Sequence, residues 1–145
     1  MATPLPLDRF LRYDELSRLL AGVAAAHPDL MSVESIGRSH EGREVWLVTL
    51  TDGSTGPHHE KPAMWVDANI HATELTGGVA ALSLINRLVG DVGSDAMVTR
   101  TLRTRTIYVV PRLNPDGVEA MLADDPRFLR SSTRPWPWTD GWRQP

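Results

Sequence analysis

The sequence predicts a single α/β domain, a β-sheet covered by helices, and three observations carry that expectation. The chain has 145 residues, 41% of them hydrophobic, enough for one small core. An apolar, β-rich run at residues 63–69 hands over directly to a stretch whose apolar residues recur at three and four, and a second such run follows at residues 106–110. Strand, helix, strand in that order implies a right-handed crossover and a sheet with helices on it.

Taken in order, residues 13–26 place Leu16, Leu19, Leu20, Val23 and Ala24 on one face of an amphipathic helix, which His27-Pro28 ends. Residues 31–37 alternate loosely and residues 44–51 are rich in β-formers (Val45, Trp46, Leu47, Val48, Leu50), with a polar, glycine-containing link between them; the pair reads as a hairpin. Residues 51–62, with two Gly, two Pro and the pair His58-His59, have loop composition. Residues 63–69 read as a buried strand, and Leu75, Val79, Leu82, Ile85 and Leu88 mark a helix over residues 73–88. A short helix over residues 94–102 and a strand over 106–110, closed by Pro111, complete the pattern.

Charge excludes some partners. A net charge of -3, with fifteen Lys and Arg spread along the chain, gives no electrostatic reason for nucleic acid or an anionic membrane. No apolar stretch approaches the length of a membrane span, and "MATPLPLDRF" has no charged segment followed by an apolar one, so a cytoplasmic location is expected. With no cysteine, any metal must sit on His, Asp or Glu.

"DANIHATEL", residues 67–75, offers such donors. His71 and Glu74 lie three apart where strand gives way to helix, and both can turn toward a point beyond the strand's carboxyl end, the usual ligand position in α/β sheets. The pair alone has little specificity: five His and seven Glu in 145 residues give about 0.24 chance matches to His-x-x-Glu. Equally, Glu74 could serve only as a first-turn acid favouring the helix dipole.

Two flanking stretches change the weight of that pair. "IGRSHEGREVWLVTL", residues 36–50, and "VVPRLNPDGVEAM", residues 109–121, stand on either side of it. Together the three resemble the zinc carboxypeptidase family, the carboxypeptidase A-like metallopeptidases (peptidase family M14), over residues 10–134. In that family an Ile-Gly-x-Ser-x-Glu-Gly-Arg hairpin precedes a buried strand that ends in His-x-x-Glu, and a later strand runs into Asn-Pro-Asp-Gly.

The resemblance implies the N-terminal portion of a mixed parallel and antiparallel sheet flanked by helices, as one domain over residues 1–145 with a Trp/Pro-rich tail at 135–145. It implies a zinc-dependent metallocarboxypeptidase acting on a peptide or amide substrate, with His71 and Glu74 as two ligands of Zn2+. It also implies an arginine in "RFLRSSTR" that binds substrate, polarises the scissile carbonyl and stabilises its oxyanion; Arg130 aligns best, with Arg127 and Arg134 as competitors. Asn114-Pro115-Asp116-Gly117 reads as a structural turn: Pro fixes one angle, Asp bonds back to nearby backbone, and Gly takes an unusual dihedral.

The chain also departs from the pattern. Ala72 and Thr73 stand between the ligands where many digestive-type members carry an arginine, so substrate preference does not transfer. The family's third ligand is a later histidine, and no histidine follows His71; Glu119, the only later glutamate, lies too close to the turn to be the general base. These gaps, and the three tryptophans Trp136, Trp138 and Trp142 in a tail without helical or strand period, lead to the expectation of an incomplete chain, the N-terminal part of a longer peptidase, inactive alone. Two other readings stay open: a non-catalytic module on the same scaffold, where His58-His59 could join His71 on a metal, and a nucleotide-binding loop built on Thr76-Gly77-Gly78.

Overall fold

The computed structural model describes residues 4–135; the expected tail with Trp136, Trp138 and Trp142 lies outside them. The elements run α1 (Tyr13–Ala26), β1 (Met31–Arg38), β2 (Glu44–Leu50), β3 (Ala63–Asp67), α2 (Leu75–Gly90), α3 (Ala96–Thr104), β4 (Thr106–Val110) and α4 (Pro115–Met121). The sheet order is β1-β2-β4-β3. β1 and β2 form the expected antiparallel hairpin, β2 pairs antiparallel with β4, and β4 pairs parallel with β3, so the sheet is mixed.

Alternation sorts the sheet's two faces. Met31, Val48, Leu50, Ile107 and Val109 fall on one face by register and are buried. Against them pack Leu16, Leu20 and Val23 of α1, Ala81, Leu82, Ile85 and Leu88 of α2, and Val98 and Leu102 of α3. Burying each of these larger side chains contributes about 2 kcal/mol of gross stabilisation, which is why the helical periodicity was readable at all. Among the described residues no helix is long and apolar enough to cross a membrane.

β3 departs from the expected buried strand. It stands at the sheet edge, with Met64 59% and Trp65 51% exposed. A continuous apolar run suits a strand covered on both faces, but among the described residues this one pairs with β4 alone. On its outer face Trp65 lies beside Tyr108, and Tyr108 Oη meets His58 Nδ1 at 2.8 Å.

The second departure is α4. The expected turn at Asn114-Pro115-Asp116-Gly117 is the start of a helix, with the Asn114 side chain accepting from Gly117 N–H and Pro115 in the first helical position. α4 in turn supplies what α1 lacks. No side chain of its own caps α1, and the Glu119 carboxylate accepts from the Tyr13 N–H at 2.8 Å and pairs with Arg12 at 2.9 Å. Glu119 is thus occupied in tying two helices together.

Candidate metal centre

Parallel β3 and β4 end side by side, and their ladder continues beyond both: Leu113 N–H donates to Ala68 O, and Asn114 N–H to Asn69 O. At Asn69 the backbone turns through a left-handed conformation, φ 54°, which asparagine tolerates better than most residues. Its side-chain amide donates to Glu74 O at 2.7 Å and so bridges the turn. Seven residues, 68–74, are thereby folded into a compact connection between strand and α2.

Within that connection His71 Nδ1 stands 2.9 Å from Glu74 Oε1. Glu74 occupies the N-cap position of α2, yet its side chain makes no capping bond and is turned to the histidine instead. The donors converge at the carboxyl end of β3, and both are reachable from solvent, with side chains 30% and 61% exposed. Between them Ala72 is wholly buried, and its N–H donates to Arg130 O at 3.0 Å. That bond brings residues 128–132 alongside the pair. A cavity of about 740 Å³ results, lined by His40, His71, Asn114, Phe128 and Arg130 among others. Arg127 and Arg134 do not line it.

The donor chemistry, one imidazole nitrogen and one carboxylate oxygen converging to hydrogen-bond distance, fits zinc. The number falls short, since among the described residues no three His, Cys, Asp or Glu groups stand together as a metal site.

A clasp holds this geometry in place. Asp116, 1% exposed, accepts from Ser39 Oγ at 2.7 Å, from the Glu41 N–H at 2.9 Å and from Arg43 Nη1 at 2.8 Å. Asp116 was expected to bond to nearby backbone; its partners lie instead in the β1–β2 loop, some 75 residues away. Gly117 likewise serves another purpose than expected. Its φ is not positive, and a Cβ there would stand 2.6 Å from Ala72 Cβ, 2.7 Å from Asn114 Nδ2 and 2.9 Å from Ser131 O. Glycine is required for room, because α4 presses on Ala72, next to His71.

Residues 16–139 match the family described as zinc carboxypeptidase. The chain belongs to the zinc carboxypeptidase family. It is 32% identical over 123 residues to carboxypeptidase A2 of Mus musculus, covering 85% of this chain and 26% of that protein. To carboxypeptidase B of Astacus astacus it is 34% identical over 123 residues, 83% of this chain and 38% of the relative. The structure of the carboxypeptidase A from Helicoverpa armigera superposes with a TM-score of 0.80 at 24% identity, over 97% of this chain and 33% of that one. A metallo-carboxypeptidase from Burkholderia cenocepacia gives a TM-score of 0.63 at 31% identity, over 75% and 28%. The chain therefore spans well under half the length of these zinc carboxypeptidases.

Two of the alternative arrangements find no geometry among the described residues, the phosphate loop and the metal shared with His58-His59. Gly77 and Gly78 lie inside α2, where Gly78 packs against the Asn69 side chain, so they form no phosphate loop. His58 precedes β3 and His71 follows it, which puts them about 16 Å or more apart along the strand. Sequence reasoning assigned no role to Asn69, Ala72 or His40, and only Asn69 carried a signal, as the kind of residue that accepts a left-handed turn.

The clasp also sets an acid limit. Burial alone would raise the Asp116 carboxyl, but hydrogen bonds from the Glu41 N–H, Ser39 and Arg43 outweigh it and leave the pKa below the ordinary aspartate value. A depressed folded pKa contributes stability that is present above the unfolded value and lost as pH falls through the folded one. The clasp is therefore expected to hold above about pH 4 and to fail progressively below it. Urea midpoints across that range should fall with pH in the native chain and fall less in Asp116→Asn.

Proposed function

We propose that this chain supplies the first part of a zinc-dependent carboxypeptidase centre, with His71 Nδ1 and Glu74 Oε1 as two zinc ligands and Arg130 as the carbonyl-polarising group. The observation that carries the reading is the 2.9 Å convergence of those two atoms beside a cavity that Arg130 also lines. Zinc held there would supply Lewis acidity and a water acidic enough to act at neutral pH. Arg130 offers a fixed fork of N–H donors to a substrate carbonyl oxygen as it gains negative charge. Ala72 and Gly117 keep the ligand turn and the arginine segment in register. A peptide with a free C-terminal carboxylate is the proposed substrate, supported by family membership.

The test is complementation. The chain is joined to the C-terminal portion of the zinc carboxypeptidase of Saccharothrix mutabilis subsp. capreolus, to which it is 30% identical over 97 residues. The chimera is expected to release C-terminal residues from peptides in a chelator-sensitive way, whereas the 145-residue chain alone releases none. In the chimera Arg130→Ala should lower kcat by about 100-fold or more, while Arg127→Ala and Arg134→Ala change it little. A folded chimera in which His71→Ala leaves activity intact contradicts the assignment.

A further inference from the structure

We infer that Asn69 is a positioning residue for the His71-Glu74 pair: its buried side-chain amide pins the backbone of Glu74, so that the carboxylate stays turned to the histidine. Its bearing on zinc rests on the ligand assignment above; its bearing on the geometry of the pair does not. Asn69 is 4% exposed, and its Nδ2 donates to Glu74 O at 2.7 Å. The same carbonyl oxygen takes the Gly77 N–H at 3.1 Å, while the Glu74 N–H donates to His71 O at 3.1 Å. Both peptide groups flanking Glu74 are thus tied down. Those flanking His71 are held too, since the Ala72 N–H donates to Arg130 O at 3.0 Å and Ile70 O accepts from Asn114 Nδ2 at 3.4 Å. A backbone fixed on both sides narrows the rotamers open to the side chain, and Glu74 uses the one that faces His71 rather than one that caps α2.

Three demands meet at position 69. The backbone is left-handed, φ 54°, a donor must face Glu74 O, and the side chain must be short, because α2 stands against it at Gly78. A Cβ on Gly78 would lie 2.6 Å from Asn69 Oδ1. Asparagine satisfies all three. Glycine accepts the backbone but has no amide, and aspartate keeps the shape but sets an oxygen against the Glu74 carbonyl. Gly78 is the other half of this device, since a larger residue there would push the amide off the carbonyl it holds. A non-glycine residue in this conformation persists only where its surroundings over-determine it, and such residues cluster at ligand sites.

The metal-free chain gives the first readout. In the native protein the Glu74 Hα–Hβ couplings should report a single χ1 rotamer, and in Asn69→Gly they should average. Zinc titration followed by NMR, at a temperature where each variant is fully folded, gives the second. Asn69→Gly should weaken zinc binding about tenfold, the lower end of what residues behind metal ligands usually contribute, and Asn69→Asp should do the same. Gly78→Ala should weaken binding in the native chain but add nothing further in Asn69→Gly, because the atom it strikes is gone. Averaged couplings in the native protein overturn the inference without any variant having to fold. So does zinc affinity that is unchanged in folded Asn69→Gly or Asn69→Asp, since the residue would then serve stability alone. A native chain that shows the single rotamer and takes up no zinc contradicts the ligand assignment and leaves the role of Asn69 in the pair standing.

Discussion

Replacing Asp116 with alanine is expected to destabilise the chain by about 4 kcal/mol, lowering Tm by on the order of 10 °C. The size follows from burial. Asp116 is 1% exposed and takes hydrogen bonds from Ser39, the Glu41 N–H and Arg43. Alanine leaves the Arg43 guanidinium, 28% exposed, without its buried carboxylate, and strands a backbone donor in the hairpin loop. Glu41 still pairs with Arg43 at 2.6 Å, which softens the loss without replacing it. Ser39→Ala, which removes one neutral donor to Asp116 and the acceptor of the Arg43 N–H, should lose less, about 2 kcal/mol. Urea denaturation of the three proteins separates these cases. A loss below 1 kcal/mol for Asp116→Ala would mean that the hairpin and α4 are held together by something other than this clasp.

Gly117→Ala is expected to lower stability by about 3 kcal/mol, the upper end of what overpacking usually inflicts. The added Cβ meets the Ala72 Cβ at 2.6 Å and the Ser131 carbonyl oxygen at 2.9 Å, and neither can swing aside as the end of a long side chain would. Something must move, and Ala72 is bonded directly to His71, one of the two donors. The substitution should therefore change the site as well as the fold: His71 and Asn114 amide and ring resonances should shift by NMR, while those of α3, remote from the contact, stay in place. Ala72→Gly in the same chain should recover part of the loss, because it removes the methyl that the new Cβ strikes.

Much of the architecture was readable because its cause is local. α1 has the expected bounds, Tyr13–Ala26, since a helix with Leu16, Leu20 and Val23 buried on one face writes its period into the sequence. The hairpin and the β3–α2–β4 order followed from β-rich runs and the turn residues between them. The misread features depend on distant neighbours. β3 carries an apolar run, yet its exposure is decided by what lies beside it, and among the described residues the one strand paired with it is β4. Asp116 and Gly117 looked like turn chemistry because Pro, Asp and Gly in sequence so often are; their partners, Ser39 and Ala72, are far away in the chain. The start of α4 did carry a local signal, Asn at the cap and Pro next to it, but its seven residues are too few to display a period.

The His71-Glu74 pair was recognised through the motifs around it, and its own spacing would not have sufficed. The fold explains why those motifs accompany it: the hairpin loop supplies the donors that fix Asp116, and the Asn-Pro-Asp-Gly helix start presses Gly117 on Ala72, next to His71.

Zinc titration of the 145-residue chain tests the ligand assignment most directly. Two donors at 2.9 Å should bind one zinc ion weakly, with a dissociation constant of about 0.1 mM or higher. His71→Ala and Glu74→Ala should each abolish the binding, and the double variant of His58 and His59 to alanine should leave it unchanged. Zinc binding that survives His71→Ala, or that disappears when His58 and His59 are replaced, would contradict the assignment.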